Sequence, residues 1–337
     1  MKKRIGKVIM FFCIGLFGIT VGPVGAQEEQ GNRFMNWVLG VQAQEAAAQG
    51  EEGSESNVTP SHVFQATLDV LSEIEVLRNE MAVDDYPSQA ELQEGRSPFH
   101  AYAKTLEVLN KVARAQRKLG MIPVNPGQIP VKNITPTDVL GSVQTILEEL
   151  RRIKGQLVIE TQIESAPFAG GKTPSLVYKN LGDASFLLDG LVGRPLTPND
   201  VFGNVMHIHD DMGLIAAKLG ASLELDPPAV EGSKRPQDVA QQVLRASYKV
   251  IDLQNRLGMD ASNVPNLTLV RVTPTEVYEI TNIMLAEMTR IKLHMDINLP
   301  HEARDAPRNK KPADVFAQVL RLIRNLDTLA QVAAQAG

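Results

Sequence analysis

Thr135-Pro136-Thr137-Asp138-Val139-Leu140 reads as the start of a helix. Threonine accepts the free N–H groups of a first turn. Proline at the first helical position loses nothing by lacking its own N–H. The acidic residue two places on completes a capping box at the positive end of the helix. The same punctuation returns at Thr59-Pro60-Ser61-His62-Val63-Phe64, Thr197-Pro198-Asn199-Asp200-Val201-Phe202 and Thr273-Pro274-Thr275-Glu276-Val277-Tyr278. Looser copies stand at Ser97-Pro98, Thr173-Pro174, Arg235-Pro236 and Lys311-Pro312. Successive prolines lie 38 residues apart, except that Pro174 and Pro198 are separated by 24.

Counted from the residue before each proline, positions 5, 9, 12, 16 and 19 are apolar, as in Val139, Val143, Ile146, Leu150 and Ile153. That spacing alternates four and three, the stripe of an amphipathic helix. Each helix is expected to run about 20–24 residues, roughly 30–36 Å. Gly120, Gly220 and Gly258 stand where such a helix would stop. The connectors that remain are long and several carry proline, as in Ile122-Pro123-Val124-Asn125-Pro126 and Asp226-Pro227-Pro228. Fourteen extended residues reach up to roughly 45 Å, enough to return along a whole helix. Parallel helices with extended straps and antiparallel helices with long loops both fit.

The second half repeats the first at an offset of 138 residues: Leu119-Gly120-Met121 matches Leu257-Gly258-Met259, and Arg152-Ile153-Lys154 matches Arg290-Ile291-Lys292. The expected fold is all-α: eight helices in two duplicated four-helix units, residues 59–196 and 197–337. The short stretch Gly190 to Leu196 between them implies that the units pack together.

The chain begins with basic Lys2, Lys3, Arg4 and Lys7, an apolar run from Val8 to Val21, and a small-residue site ending at Ala26. This is the pattern of a secretory signal over residues 1–26, cleaved after Ala26, and implies a periplasmic or secreted protein. Its removal takes the only cysteine, Cys13, and leaves 30 basic against 39 acidic residues. Such an acidic chain is poorly suited to nucleic acid or an anionic membrane. Residues 27–58 read as a flexible acidic leader, interrupted by the apolar Phe34-Met35-Asn36-Trp37-Val38-Leu39.

Chemistry is sparse. There is no nucleophile elbow, phosphate loop or zinc-protease motif, so no catalytic residues and no cofactor are assigned. Glu148-Glu149 and Asp210-Asp211 read as solvated helix faces. The aromatic residues at position 6 (Phe64, Tyr102, Tyr178, Phe202, Tyr278, Phe316) read as packing each helix start on a neighbour or strap. Met206, His209 and Met212 offer thioether and imidazole ligands on a drifting helix face, suited to copper. Ser185, His209 and Ser247 share position 13, elsewhere apolar, and suggest a polar pocket between the halves. The function expected is a non-enzymatic, exported binding or scaffolding module with a protein or peptide partner. Its alternative is a ligand-sensing or metal-handling bundle built on the Met206/His209/Met212 region.

Overall fold

The computed structural model describes residues 58–85, 87, 89–193, 196–267, 272–300 and 306–336. Residues 1–26, read as a signal, and, apart from Val58, residues 27–58, read as a leader with a Phe34–Leu39 patch, lie outside the described residues. All regular structure among the described residues is helical. The helices are α1 (Pro60–Glu80), α2 (Pro98–Lys118), α3 (Pro136–Gln156), α4 (Pro174–Val192), α5 (Pro198–Leu219), α6 (Pro236–Arg256), α7 (Pro274–His294) and α8 (Pro312–Ala336).

Every helix opens at its repeat proline. In seven of the eight, the N–H before the proline donates to the side chain three places on. Asp138, Asp200, Asp238, Glu276 and Asp314 accept it as the capping box requires. In α1 and α2 the acceptor is the Nδ1 atom of His62 or His100, at 3.1 and 3.0 Å. That imidazole role was not legible as a cap in the sequence.

The four helices of each unit are parallel. Pro60, Pro98, Pro136 and Pro174 surround one apolar dimple together with Val63, Ala101, Val139 and Val177, so four helix starts meet at one end. Pro198, Pro236, Pro274 and Pro312 do the same in the second unit. The pairs in contact are α1 with α3 and α4, and α2 with α3 and α4. Hence α1 and α2 occupy opposite corners, and the second unit repeats the arrangement with α5 and α6 opposed. A parallel neighbour can be reached only by a strap that runs back the length of the bundle, which is why the connectors are long and extended. Strap 81–97 returns along α4: the Ala90 N–H donates to Asp183 Oδ1 at 2.7 Å and the Arg96 N–H to Ser175 Oγ at 3.0 Å. Strap 157–173 returns along α1, where Ala166 and Lys172 donate backbone N–H groups to Asp69 and Ser61. An extended strap has no ladder of its own, so helix side chains satisfy its backbone. Strap lysines also cover the position-6 rings: Lys172 lies over Phe64, Lys234 over Phe316 and Lys310 over Phe202, at 5.1, 5.1 and 4.5 Å from the ring centres.

Close approach of strap and helix explains Gly182. A Cβ there would stand 2.6 Å from the Ala90 Cβ, whereas one on Gly141 of α3 would meet nothing within 4 Å. Gly182→Ala is expected to lower stability by about 1–2 kcal/mol, because the clash outweighs the gain in helix propensity. Gly141→Ala is expected to raise it by about 1 kcal/mol. Urea unfolding of the two variants gives opposite signs if the strap lies where described.

Six helices end in a left-handed residue at the same repeat position: Ala82, Gly120, Val158, Gly220, Gly258 and Asp296, with φ between 50° and 71°. Glycine takes this conformation freely, and a β-branched side chain does not. Val158 is 80 % exposed and packs little, so Val158→Gly is expected to stabilise by about 0.5–1 kcal/mol, read as a shift in the denaturation midpoint.

The apolar stripe forms the core of each bundle, with Val70, Ile74, Val143, Ile146, Leu150 and Leu188 in the first and Val205, Ile208, Met212, Val243, Leu253 and Ile291 in the second fully enclosed. One expectation fails here. Asp211 is not on a solvated face: it is 0 % exposed and its Oδ1 lies 2.5 Å from Lys292 Nζ of α7. It occupies the place of Glu73 in the first bundle, which pairs with Lys154 at 2.7 Å. Both pairs tie an odd-numbered helix to the next odd one.

The short turn after α4 starts α5 at the end of the first bundle where α4 finishes, so the second bundle runs the opposite way. Side-chain pairs show this. His100 at the start of α2 meets Glu287 late in α7, and Arg114 near the end of α2 reaches Asp200 at the start of α5. Parallel helices add their dipoles, and the antiparallel pairing of two bundles offsets that sum.

Candidate functional site

The densest chemistry lies in the seam between the bundles, where α2 packs on α7. Lys104, Glu107 and Lys111 share one face of α2 and are each 1–2 % exposed. Lys104 Nζ donates to both Glu107 oxygens at 2.9 and 3.1 Å. Ser185 of α4 donates its hydroxyl to Glu107 Oε1 at 2.6 Å. Lys111 Nζ donates to the Ser185 carbonyl at 2.8 Å and lies 2.7 Å from Asp189 Oδ1. Lys104 Nζ also stands 5.6 Å from the centre of the Tyr178 ring. Burial alone would lower the Lys104 pKa, but the carboxylates of Glu107 and Glu279 outweigh it and hold it above the usual lysine value. Lys111 goes the other way: burial pulls it down against the same Glu107 and against Asp189.

Across the seam, α7 contributes Glu279, Asn282 and Glu287. Asn282 Nδ2 donates to the Ala103 carbonyl of α2 at 3.1 Å. Glu279 faces Tyr178, and burial raises both the Glu279 carboxyl and the Tyr178 hydroxyl above their ordinary pKa values. Glu287 accepts from Gln254 of α6 and from Arg290, and its Oε1 lies 2.5 Å from His100 Nε2 without hydrogen-bond alignment. His100 Nδ1 already accepts the Ser97 N–H, so its proton sits on Nε2, facing Glu287. Burial lowers the His100 pKa and keeps the ring neutral, against the pull of Glu287. Burial would raise Glu287, but His100 and Arg290 outweigh it and hold the carboxyl below its usual range. With His100 neutral, its share is that of an N–H dipole, and Arg290 is the charged partner.

Two straps close the edge of the seam. Gln93 and Asn266 exchange two hydrogen bonds, of 2.6 and 2.7 Å. Arg96 Nη2 donates to the Asn263 carbonyl at 3.2 Å. Arg96 is 4 % exposed, and burial lowers its pKa against the pull of Tyr178, Glu287 and Glu279.

The structure separates the residues expected to form a polar pocket. Ser185 belongs to the seam. Ser247 of α6 lines a cleft beside strap 257–273 with Gln254, Ser262, Asn263 and Glu287, and donates its hydroxyl to the Val243 carbonyl of its own helix at 3.1 Å. His209 faces α8, where its Nε2 lies 3.1 Å from the Gln318 carbonyl. Of the residues considered for a metal, Met212 is wholly enclosed in the bundle core, Met206 is half-buried and His209 is half-buried on the α8 side. The position-13 departures therefore mark three different environments.

Arg96, His100, Lys104, Glu107, Lys111, Glu279 and Glu287 were not singled out from the sequence. A signal was available. At the 138-residue offset, Lys104, Glu107 and Glu279 correspond to Gln242, Arg245 and Gly141, so the duplicated helices part company at polar positions too. Glu287 has no such mark, since Glu149 matches it; only the neighbour His100 makes it different. Comparison with protein families, with curated proteins and with solved structures finds no match for this chain.

Proposed function

We propose that the protein is a non-catalytic, exported scaffold: a rigid body of two antiparallel bundles that presents its straps and outer helix faces to protein partners. One observation supports this most directly. The groups with reactive chemistry, Ser185, Glu107, Lys104, Lys111, Asp189 and Glu287, are committed to pairs with one another and with backbone carbonyls, and those pairs hold helices together. Side chains used this way hold α2 to α4, and His100 with Glu287 holds α2 to α7, rather than attack a substrate. The apolar side chains left outside include Ile122, Phe168, Leu225 and Leu299 on the straps and Tyr248 on α6. They belong to four different straps and one helix, which suits several shallow contacts rather than one large interface.

The test is made with the full chain in the cells that produce it. A photo-reactive phenylalanine is placed in turn at Ile122, Phe168, Leu225, Tyr248 and Leu299. Discrete cross-linked species from the exported fraction, at some positions and not others, are the expected result. A chain that stays in the cytoplasm, or that forms no cross-linked species at any of the five positions, overturns the reading.

A further inference from the structure

The seam joins unlike faces. A two-fold relation between the bundles would repeat every seam contact on the duplicated residues. Among the described residues those duplicates instead stand open. Ala103 and Glu107 of α2 are buried in the seam, whereas Gln241 and Arg245, their counterparts on α6 at the 138-residue offset, are exposed. Asn282 and Ala286 of α7 are buried, whereas their counterparts Gln144 and Glu148 on α3 are exposed. A Cβ on Gly141, the counterpart of Glu279, would meet nothing within 4 Å. Each duplicated unit therefore carries two kinds of face, and the chain mates the second-helix face of one unit with the third-helix face of the other. One face of each kind is left over: α3 with strap 119–135 on the first bundle, and α6 with strap 219–235 on the second.

We propose that the leftover faces take a second copy of this chain: α6 of one copy docks on α3 of the next, head to tail, as α2 docks on α7. Most seam contacts have a workable equivalent. Gln241 and Gln144 stand for Ala103 and Asn282, which meet at 3.1 Å in the seam. Glu231 and Gln128 stand for Gln93 and Asn266, with a carboxylate to accept from the amide. Lys234 and Asn125 stand for Arg96 and Asn263, where a cation donates to a backbone carbonyl. Asp252 and His62 stand for Arg114 and Asp200, a carboxylate opposite an imidazole.

Exposed apolar side chains lie on the same two faces. Tyr248, 62 % exposed, follows Arg245 by one turn of α6, Leu225 lies on strap 219–235, and Ile122 on strap 119–135. The buried charges of the seam are not repeated, since Gln242, Arg245 and Gly141 replace Lys104, Glu107 and Glu279. Docking therefore does not require a charged cluster to lose its water. One pair opposes it: Asp238 stands for His100 opposite Glu149, with Arg152 beside Glu149 as Arg290 is beside Glu287. Two carboxylates there make the junction weaker than the seam, and reversible. Because the mating faces differ, two docked copies still present one open face of each kind, so association continues by addition. This goes beyond the scaffold reading and does not depend on export.

Two measurements test the proposal on the full chain, purified as its producing cells process it. In sedimentation velocity the mean mass is expected to rise with protein concentration. Tyr248→Glu, at an exposed position, is expected to weaken that association at least about tenfold while the helical circular dichroism stays unchanged. A chain that is monomeric at every concentration, or whose association Tyr248→Glu leaves intact, overturns the proposal. Cross-linking then reads the geometry, in a Cys13→Ala background. With a short bismaleimide, Gln144→Cys and Gln241→Cys chains are expected to join when mixed and neither to join with itself, and the double variant is expected to form a ladder of multimers. Association without the mixed product, or with equal cross-linking in a single variant alone, overturns the head-to-tail contact in favour of other faces.

Discussion

Glu287→Ala is expected to destabilise the protein by about 3–5 kcal/mol, the range for removing one partner of a buried charged network. Its duplicate supplies the control. Glu149 stands in the same place in the first bundle, accepts from Gln116 at 2.5 Å and pairs with Arg152, but no second bundle packs against it. Its loss is expected to cost about 1 kcal/mol, that of an ordinary hydrogen bond. The difference arises from the seam. Without Glu287, Gln254 is left buried without its acceptor, His100 Nε2 faces no carboxylate, and Arg290 loses its counter-charge inside the interface. A pH titration separates the Coulomb contribution from packing. The folded Glu287 pKa lies below the ordinary carboxylate value of 4.5, so its contribution is present above that pH and is lost as pH falls below it. Glu287→Gln keeps the shape and removes the titration, so its stability is expected to fall less steeply with acid than that of the wild type. Equal costs for Glu287→Ala and Glu149→Ala in urea would show that the seam adds nothing to this triad.

The helices were legible because each is specified locally. Thr-Pro-x-Asp fixes a start, the four-three stripe fixes a buried face, and Gly120, Gly220 and Gly258 fix a stop; none of these needs a distant partner to be read. The direction of the helices was not legible, because an extended strap of sufficient reach serves either arrangement. What decides it is side-chain contact between strap and helix, as at Asp183 with Ala90 or Asn199 with Lys310, between residues 93 and 111 apart in sequence. The seam was hidden for a related reason. Lys104, Glu107 and Lys111 stand at positions that face solvent in a single amphipathic helix, and a charged residue there is unremarkable until a second bundle covers it. His209 attracted notice by breaking an apolar position, yet it lies on the α8 flank. His100 kept to the capping position, where Asp or Glu stands in five other copies, and it became the seam residue. Departures from the repeat thus pointed to a change of environment without saying which environment had changed.

Lys292→Met alone is expected to cost about 3–5 kcal/mol, while the double variant Asp211→Leu with Lys292→Met is expected to lie within about 1 kcal/mol of the wild type or above it. The pair is the most enclosed ion pair among the described residues, with side-chain exposures of 1 and 0 %. Two charges taken that far from water lose hydration that their mutual attraction only partly restores, so an apolar pair of similar volume does as well. Removing only the lysine strands the carboxylate. Asp211 shows the strain already: burial raises it, against Lys292, to a pKa of about 6. A folded pKa above the ordinary 3.8 favours the protonated form, so its contribution to stability is complete below pH 3.8 and is lost as pH rises through about 6. That slope opposes the one from Glu287, and the two act in adjoining windows. The double variant is expected to lose the decline between pH 4 and 6 and keep the acid limb below it. The single and double variants also differ in what they test. If the double variant is as unstable as Lys292→Met, the ion pair itself, and not the stranded charge, holds α5 to α7.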